Sequence, residues 1–174
     1  LIMSIVIHEV SHGFVAEYFG DNTARNAGRL TLNPIKHLDL FGSIILPLML
    51  SIPLFFGVQP VIVGWAKPVP YNPNNLKNPK SGAGLIAWAG PASNLLIACI
   101  FAALMALLPV NPVMGEAFRY IILINLMLAV FNLVPIPPLD GSKILTAFLP
   151  DHSPIISFIE RNSLVLLLAF LFFG

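Results

Sequence analysis

Hydrophobic residues in this chain gather into five blocks, which are separated by polar connectors rich in proline and glycine. The blocks cover residues 1–19, 40–56, 83–108, 117–134 and 155–173. About 20 apolar residues are needed for a helix to cross a bilayer. The pattern therefore predicts an all-α polytopic membrane protein with about four to five transmembrane helices. Pro47 and Pro53 interrupt the second block, which predicts a re-entrant or broken element there.

Composition supports this class. Apolar residues make up 57% of the chain and charged residues 10%, whereas a soluble domain carries about a quarter charged residues. We therefore predict a single membrane-embedded core over residues 1–174, with the lipid bilayer as its surroundings. The net charge of +1, with no Lys/Arg tract, gives no indication of nucleic-acid binding.

Residues 58–70 differ from the other connectors because they are rich in β-branched residues and proline. This composition favours a short extended or β segment over a helix. A free strand edge there would bind an unwound peptide by strand addition. An interfacial loop anchored by Trp65 explains the same pattern equally well.

Basic residues indicate the orientation of the chain. Those in the connectors all follow the first, second or fourth block: Arg25, Arg29, Lys36, Lys67, Lys77, Lys80 and Lys143. Arg119 alone lies beside the connector between the third and fourth blocks. The positive-inside rule places the basic connectors in the cytoplasm, so the second block has to return to the side where it began. We predict a multi-pass integral protein of a bacterial or archaeal cell membrane, with the basic connectors toward the cytoplasm.

The chemistry begins within the first block, at His8-Glu9-Val10-Ser11-His12. Residues four apart share one face of a helix, so His8 and His12 can bind one metal ion. Glu9 lies beside them and can take a proton from an attacking water without binding the metal. Only seven residues precede the motif, so we expect the first helix to begin upstream of this numbering.

A catalytic zinc site usually has a third protein ligand, and Asp140 is the best candidate. It follows a proline-rich break after the fourth block, and Gly141 allows a tight turn. An isolated Asp-Gly pair is ordinarily a surface turn, but the two histidines favour the ligand interpretation. A non-enzymatic metal transporter, or another metal-binding membrane protein, would use the same ligands but leave Glu9 without a role. A zinc peptidase of the other membrane type would need a distal glutamate, for which only Glu116 and Glu160 remain.

Four motifs together resemble the site-2 protease family of intramembrane zinc metalloproteases. They are His8-Glu9-Val10-Ser11-His12, Gly90-Pro91-Ala92-Ser93-Asn94, Asn132, and Leu139-Asp140-Gly141. The segment 64–70 is similar to a stretch of the family's minimal branch, which lacks PDZ and CBS domains. The chain departs from the compact archaeal pattern between Gly28 and Phe56.

The resemblance implies a zinc metalloendopeptidase that cleaves a membrane protein, in particular one with a single span. Zn²⁺ would be bound by His8, His12 and Asp140, with Glu9 as general base. The resemblance places Asn132 near the scissile carbonyl, where it can stabilise the oxyanion. We expect the active site to lie toward the cytoplasm, with the short extended or β segment near it.

Four other polar residues have simpler interpretations. We expect Asn94 to form a hydrogen bond between helices and Asn125 to be a packing residue. His37 and His152 lie in polar connectors, so we expect both to be solvated.

Overall fold

The computed structural model describes residues 1–59 and 64–173, with side chains through Leu171. Within this part the chain is helical and contains no strand. Its α-helices are α1 (Ile2–Tyr18), α2 (Thr23–Asn26), α3 (Leu46–Ser51), α4 (Pro79–Leu107), α5 (Pro112–Leu133), α6 (Asp140–Phe148), α7 (Pro154–Arg161) and α8 (Ser163–Phe173). Short 3₁₀ helices cover Pro34–His37, Ile52–Phe56 and Pro73–Asn75.

An Asn-Pro pair begins four of these helices, including the two longest. In each pair the asparagine is the N-cap and its side chain accepts a hydrogen bond from a backbone N–H of the first turn. The proline occupies the first helical position, where its missing N–H costs nothing and its fixed φ suits a helix. The four pairs begin at Asn33, Asn72, Asn78 and Asn111. Local sequence alone therefore sets the start of α4 and α5.

Helix α4 is the centre of the fold and packs against α1, α5 and α6. Small residues make these close contacts possible. A Cβ atom on Gly84 would lie 2.5 Å from the Cβ of Ala147 in α6. Ala87 and Gly90, two small residues of α4, are buried. The helix that carries Gly90-Pro91-Ala92-Ser93-Asn94 therefore lies between the helices that carry the other motifs.

Hydrogen bonds of Asp21 connect the end of α1 to the connector that precedes α4. Its buried carboxylate accepts hydrogen bonds from the hydroxyl of Thr23, the amide of Asn75 and the N–H of Asn72. Burial by itself raises the pKa of Asp21, but these hydrogen bonds outweigh burial and lower the pKa overall.

The second hydrophobic block forms an interrupted helix, as its prolines predict. A π-helical stretch (Leu40–Ile45), α3 and a 3₁₀ helix (Ile52–Phe56) follow one another without a break. Changes of helical geometry of this kind mark a helix under local constraint. Gly42 lies under the ring of Trp65, where a Cβ atom would overlap the indole. The interrupted helix thus supports the segment 64–69, whereas residues 60–63 of the predicted extended stretch lie outside the described residues.

Two helices, α4 and α5, are long and apolar enough to cross a membrane. The pair α7 and α8 passes the same test together, but it bends by 69° at Asn162. The described residues therefore contain two or three candidate spans, which makes the chain a membrane protein. Helix α1 has 17 residues and the interrupted helix is also shorter than a span.

The connector after α5 departs from the prediction. Asp140 and Gly141 do not form a tight turn, because Asp140 is the first residue of α6. A carboxylate at a helix N-terminus is favoured by the helix dipole. A glycine at position 141 is required by close packing and not by a turn. A Cβ atom there would overlap the backbone carbonyls of Leu133 and Val134. The glycine thus lets α6 start directly beside the end of α5.

Candidate metal centre

His8, His12 and Asp140 come together at the contact of α1, α4 and α6. The Nε2 atoms of His8 and His12 lie 3.1 Å and 3.2 Å from the same oxygen of Asp140, Oδ2. The three groups can each offer one ligand atom, and these atoms all lie within 4.8 Å of one another. Helical spacing accounts for the histidine pair, whereas α6 brings in Asp140 from 132 residues away.

Hydrogen bonds at the far side of each ring orient the two imidazoles. Nδ1 of His12 lies 2.6 Å from the carbonyl oxygen of Ile86, and Nδ1 of His8 lies 2.7 Å from Oδ1 of Asn94. A carbonyl oxygen only accepts, so Nδ1 of His12 carries a proton. Nε2 of a neutral His12 then has a free lone pair directed at Asp140.

This arrangement fits a zinc ion. Zinc ligands at about 2.0–2.1 Å in a tetrahedron are separated from one another by roughly 3.3 Å, close to the 3.1 Å and 3.2 Å found here. A lone pair of a neutral imidazole and a carboxylate oxygen repel at this distance unless a cation lies between them. At neutral pH Asp140 is a carboxylate, so the three groups offer a cation two imidazole nitrogens and one anionic oxygen.

Gly90 in α4 makes room for both rings. A Cβ atom there would lie 2.5 Å from Nε2 of His12 and 2.5 Å from Nε2 of His8. No side chain other than hydrogen fits between α4 and the two imidazoles.

Glu9 points into the same cavity and is held by the backbone of the segment 64–69. Its Oε2 accepts a hydrogen bond of 2.9 Å from the N–H of Val69. The cavity encloses about 140 Å³ and is lined by His8, Glu9, His12, Pro68, Val69, Tyr71, Ile86, Ala87, Asn132, Pro138, Asp140 and Lys143. All five residues predicted to form the site therefore line one cavity.

Asn132 lies near the end of α5, and its amide donates to the carbonyl of Leu128 one turn earlier, at 2.9 Å. A side-chain amide has two N–H groups. One is therefore left for a ligand in the cavity.

Comparison with known proteins identifies the family of this chain. The sequence profile of Peptidase family M50 matches residues 110–174. YwhC of Bacillus subtilis (strain 168), named as a predicted zinc metalloprotease, is 41% identical over 159 residues, which cover 86% of this chain and 67% of YwhC. This chain belongs to peptidase family M50, the site-2 protease family.

Other relatives agree with the assignment. Rip2 of Mycolicibacterium smegmatis, also named as a predicted zinc metalloprotease, is 30% identical over 80% of this chain and 52% of its own length. The zinc metalloprotease MJ0392 of Methanocaldococcus jannaschii is 27% identical over 86% of this chain and 33% of its own length. The chain thus spans about two thirds of YwhC and about half of Rip2. No solved structure gives a significant match.

Membership of the family makes this M50 chain part of a zinc metalloendopeptidase with Zn²⁺ as its cofactor. The donor set found at the cavity, two imidazoles and one carboxylate, is one that zinc prefers.

Sequence reasoning missed two residues of the M50 cavity, Tyr71 and Lys143. Lys143 lies one turn after Asp140 on α6, and its ammonium is 5.3 Å from the centroid of the Tyr71 ring. Burial, and then the charge of Asp140, raise the pKa of Tyr71, so its hydroxyl stays protonated. The spacing of three between Asp140 and Lys143 could have identified the lysine. No local signal identifies Tyr71.

The structure bears on the expectations for the four other polar residues. Asn94 does connect helices, as predicted, but one of its partners is the imidazole of His8. Asn125 is buried and hydrogen-bonded to Asn94 rather than simply packed. The expectation that His37 is solvated is wrong: it is 2% exposed, with Nε2 at 2.8 Å from the carbonyl of Thr31. His152 is exposed, as predicted.

Proposed function

We propose that this chain is the catalytic core of an intramembrane zinc metalloprotease. It hydrolyses a peptide bond in or near the transmembrane segment of a membrane protein, in particular one with a single span. The observation that carries the proposal is the convergence of His8, His12 and Asp140 beside the carboxylate of Glu9 in one cavity. A metal transporter would use the three ligands but would give Glu9 no task.

In this proposal His8, His12 and Asp140 bind the zinc ion. When bound, Zn²⁺ polarises a water molecule and the scissile carbonyl. Removing one ligand of three weakens zinc binding greatly, so Asp140→Asn is expected to lose zinc from the purified protein. Asp151→Asn is the matched control, because Asp151 is exposed and pairs only with Lys80. Undiminished zinc in Asp140→Asn would remove Asp140 from the ligand set.

Glu9 is the general base in this mechanism. It takes the proton of the attacking water and later gives it to the leaving amine. The Val69 N–H fixes one carboxylate oxygen, so the other oxygen is free to take the proton. Asn132 donates to the oxyanion as the carbonyl is attacked.

Glu9→Gln tests this role because it removes the base and keeps the shape of the side chain. We expect zinc content near that of the unmodified protein and a loss of cleavage of about 100-fold or more. Glu116→Gln is the control, because Glu116 is exposed and pairs only with Arg119. Near-normal proteolysis by Glu9→Gln would exclude this mechanism, and loss of zinc would make Glu9 a ligand.

The substrate is held extended along the segment 64–69. The side of this segment that faces the protein is occupied. The backbone of Trp65 bonds to Gly42 and Ser43. The backbone of Lys67 bonds to His37 and Arg29, and that of Val69 bonds to Glu9. On the opposite side, neither the N–H nor the C=O of Ala66 bonds to any described residue. Backbone groups alternate between the two edges of an extended chain. This alternation supports a strand edge at Ala66, which ends before Pro68 because the C=O of Pro68 accepts from Arg29 at 3.3 Å.

Two cavities border the segment and support the same path. Ala66 lines an apolar groove of about 300 Å³ along α1, and Pro68 and Val69 line the catalytic cavity. A substrate paired with Ala66 therefore runs from apolar surroundings toward Glu9. Strand addition exposes carbonyls that a helical substrate hides.

Proline at position 66 tests this path, because it removes the N–H of the free edge. We expect Ala66→Pro to impair cleavage at full zinc content and Ala66→Ser to cleave normally. If Ala66→Pro cleaves as well as Ala66→Ser, the substrate is gripped elsewhere. Positions 62 and 63, where the sequence predicts the same effect of proline, lie outside the described residues.

The chain crosses the membrane several times, about four to five, with the active site toward the cytoplasm. Two candidate spans and one bent pair support a multi-pass arrangement. Cysteines introduced at Lys77 and Glu116 in a Cys99→Ser background test the orientation, because one long helix separates them. We expect an impermeant thiol reagent to label position 77 only from the cytoplasmic side and position 116 only from the other side. The reverse pattern would invert the topology.

Co-expression with a panel of tagged single-span proteins tests the activity itself. We expect loss of the intact band for at least one of them, and no loss with Glu9→Gln. A panel that stays intact in both cases would contradict the proposed substrate class.

A further inference from the structure

Two buried asparagines connect α5 to the imidazole of His8. Asn94 and Asn125 are both 0% exposed. The amide of Asn94 lies between His8 Nδ1, at 2.7 Å, and Asn125 Oδ1, at 2.9 Å. Neither asparagine lines the catalytic cavity, so neither has a role in the proposed chemistry. A buried hydrogen-bonded network of this kind makes the groups that it connects rigid.

The direction of every hydrogen bond in this chain of amides follows from one backbone carbonyl. The oxygen of Ile121 is 2.8 Å from Nδ2 of Asn125 and can only accept. Asn125 therefore turns its NH₂ toward Ile121 and its oxygen toward Asn94. That oxygen in turn requires a donor, so Asn94 presents its NH₂ to Asn125 and its oxygen to His8.

The carbonyl of Ser4 adds a second, longer contact of the same polarity, which is weaker than the 2.9 Å contact with Asn125. It lies 3.3 Å from Nδ2 of Asn94, and a flipped amide would put two oxygens in contact there. The hydroxyl of Ser4 also lies 3.2 Å from Nδ2 of Asn125. Two backbone carbonyls, one in α1 and one in α5, thus set the amides to the same polarity.

The polarity of Asn94 determines the tautomer of His8. Because Asn94 faces His8 with an oxygen, Nδ1 of His8 has to carry the proton, and Nε2 keeps its lone pair. Without this constraint a neutral His8 would be drawn to the other tautomer, since Oδ2 of Asp140 is an acceptor 3.1 Å from Nε2. A proton on Nε2 occupies the position of the metal.

We propose that Asn125 is a positioning residue which, through Asn94, sets the tautomer of His8 and so keeps its Nε2 ready to bind zinc. The inference rests on the ligand set proposed above. The tautomer of His12 does not depend on another side chain, because the carbonyl of Ile86 contacts its Nδ1 directly. The ring nitrogen opposite a metal commonly donates to a partner that fixes the tautomer.

Asn125→Leu removes the polarity and keeps most of the volume, and Asn125→Ala is a second variant in case leucine perturbs folding. Asn162→Leu is the matched control, because Asn162 also donates to the carbonyl one turn earlier, at 2.8 Å, but belongs to no chain of amides. The chain has four histidines, so imidazole ¹⁵N spectra of the zinc-free protein at about pH 8.5, well above the ordinary histidine pKa, are assignable with His8→Ala as reference. Zinc affinity is measured by competition with a chelator.

In the unmodified protein and in Asn162→Leu we expect His8 as the Nδ1–H tautomer. Both Asn125 variants should shift His8 toward Nε2–H and lose about 10–100-fold in zinc affinity. An unchanged tautomer in both Asn125 variants would overturn the inference, and so would an unchanged zinc affinity. The proposed ligand set fails by a different result, namely full zinc affinity in His8→Ala.

Discussion

Gly90→Ala offers the sharpest test of the metal centre, because it adds one carbon atom between α4 and both histidines. The new Cβ would lie 2.5 Å from each Nε2, whereas ordinary contacts begin at 3.4 Å. The difference, 3.4 − 2.5, requires each imidazole to move by about 0.9 Å. A zinc site tolerates deviations of about 0.2 Å in its ligand distances. Both ligands therefore leave their positions together, and we expect zinc affinity to fall by about 100-fold or more.

The fold should weaken far less than the metal site. Alanine is favoured over glycine inside a helix by about 1 kcal/mol, which offsets part of the cost, about 1–3 kcal/mol, of displacing two hydrogen-bonded imidazoles. We therefore expect zinc-free Gly90→Ala to remain folded, with a thermal unfolding temperature only a few degrees below that of the unmodified protein.

The assay combines chelator competition for zinc with thermal unfolding of the zinc-free protein. Gly115→Ala is the control, because it replaces a helical glycine whose nearest added contact is an ordinary one, 4.0 Å from Val110. Wild-type zinc affinity in Gly90→Ala would refute the ligand positions. Loss of zinc together with loss of the fold would refute the separation of packing from metal binding.

Three further outcomes follow from the contacts. Gly141→Ala places a carbon atom against backbone carbonyls. We therefore expect the free energy of unfolding to fall by about 1–3 kcal/mol and zinc affinity to fall with it. A free energy of unfolding equal to that of Gly115→Ala would contradict this. Arg29→Met removes the donor to the carbonyls of Lys67 and Pro68. Amide hydrogen exchange across residues 64–69 should therefore accelerate about 10-fold or more. An unchanged exchange rate would show that Arg29 does not hold this segment. The pKa of Asp21 is lowered by folding, so its stabilisation is complete above the ordinary pKa of 3.8 and is lost as the pH falls through the lower folded value. Unfolding at pH 7 and pH 3 should therefore differ less in Asp21→Ala than in the unmodified protein.

Local sequence was sufficient for the two longest helices and for two of the three candidate metal ligands. The apolar blocks at 83–108 and 117–134 correspond to α4 and α5, because continuous hydrophobicity and the Asn-Pro starts act over a few residues. The spacing of four between His8 and His12 sets both rings on one face of α1 for the same reason. Resemblance to a family then supplied the role proposed for Asn132, which no local pattern indicates.

Tertiary packing decided the rest, because it brings together residues whose separation along the chain carries no periodic signal. Asp140 reaches the histidines only because α6 begins at that residue and packs on α4. His37 is buried because the segment 64–69 lies against its backbone, with Lys67 donating to its carbonyl. Chemistry and spacing along the sequence determine which residues can bind a metal. The tautomer of His8, the orientation of Glu9 and the free edge at Ala66 are set by carbonyls and N–H groups that come close only in the folded chain.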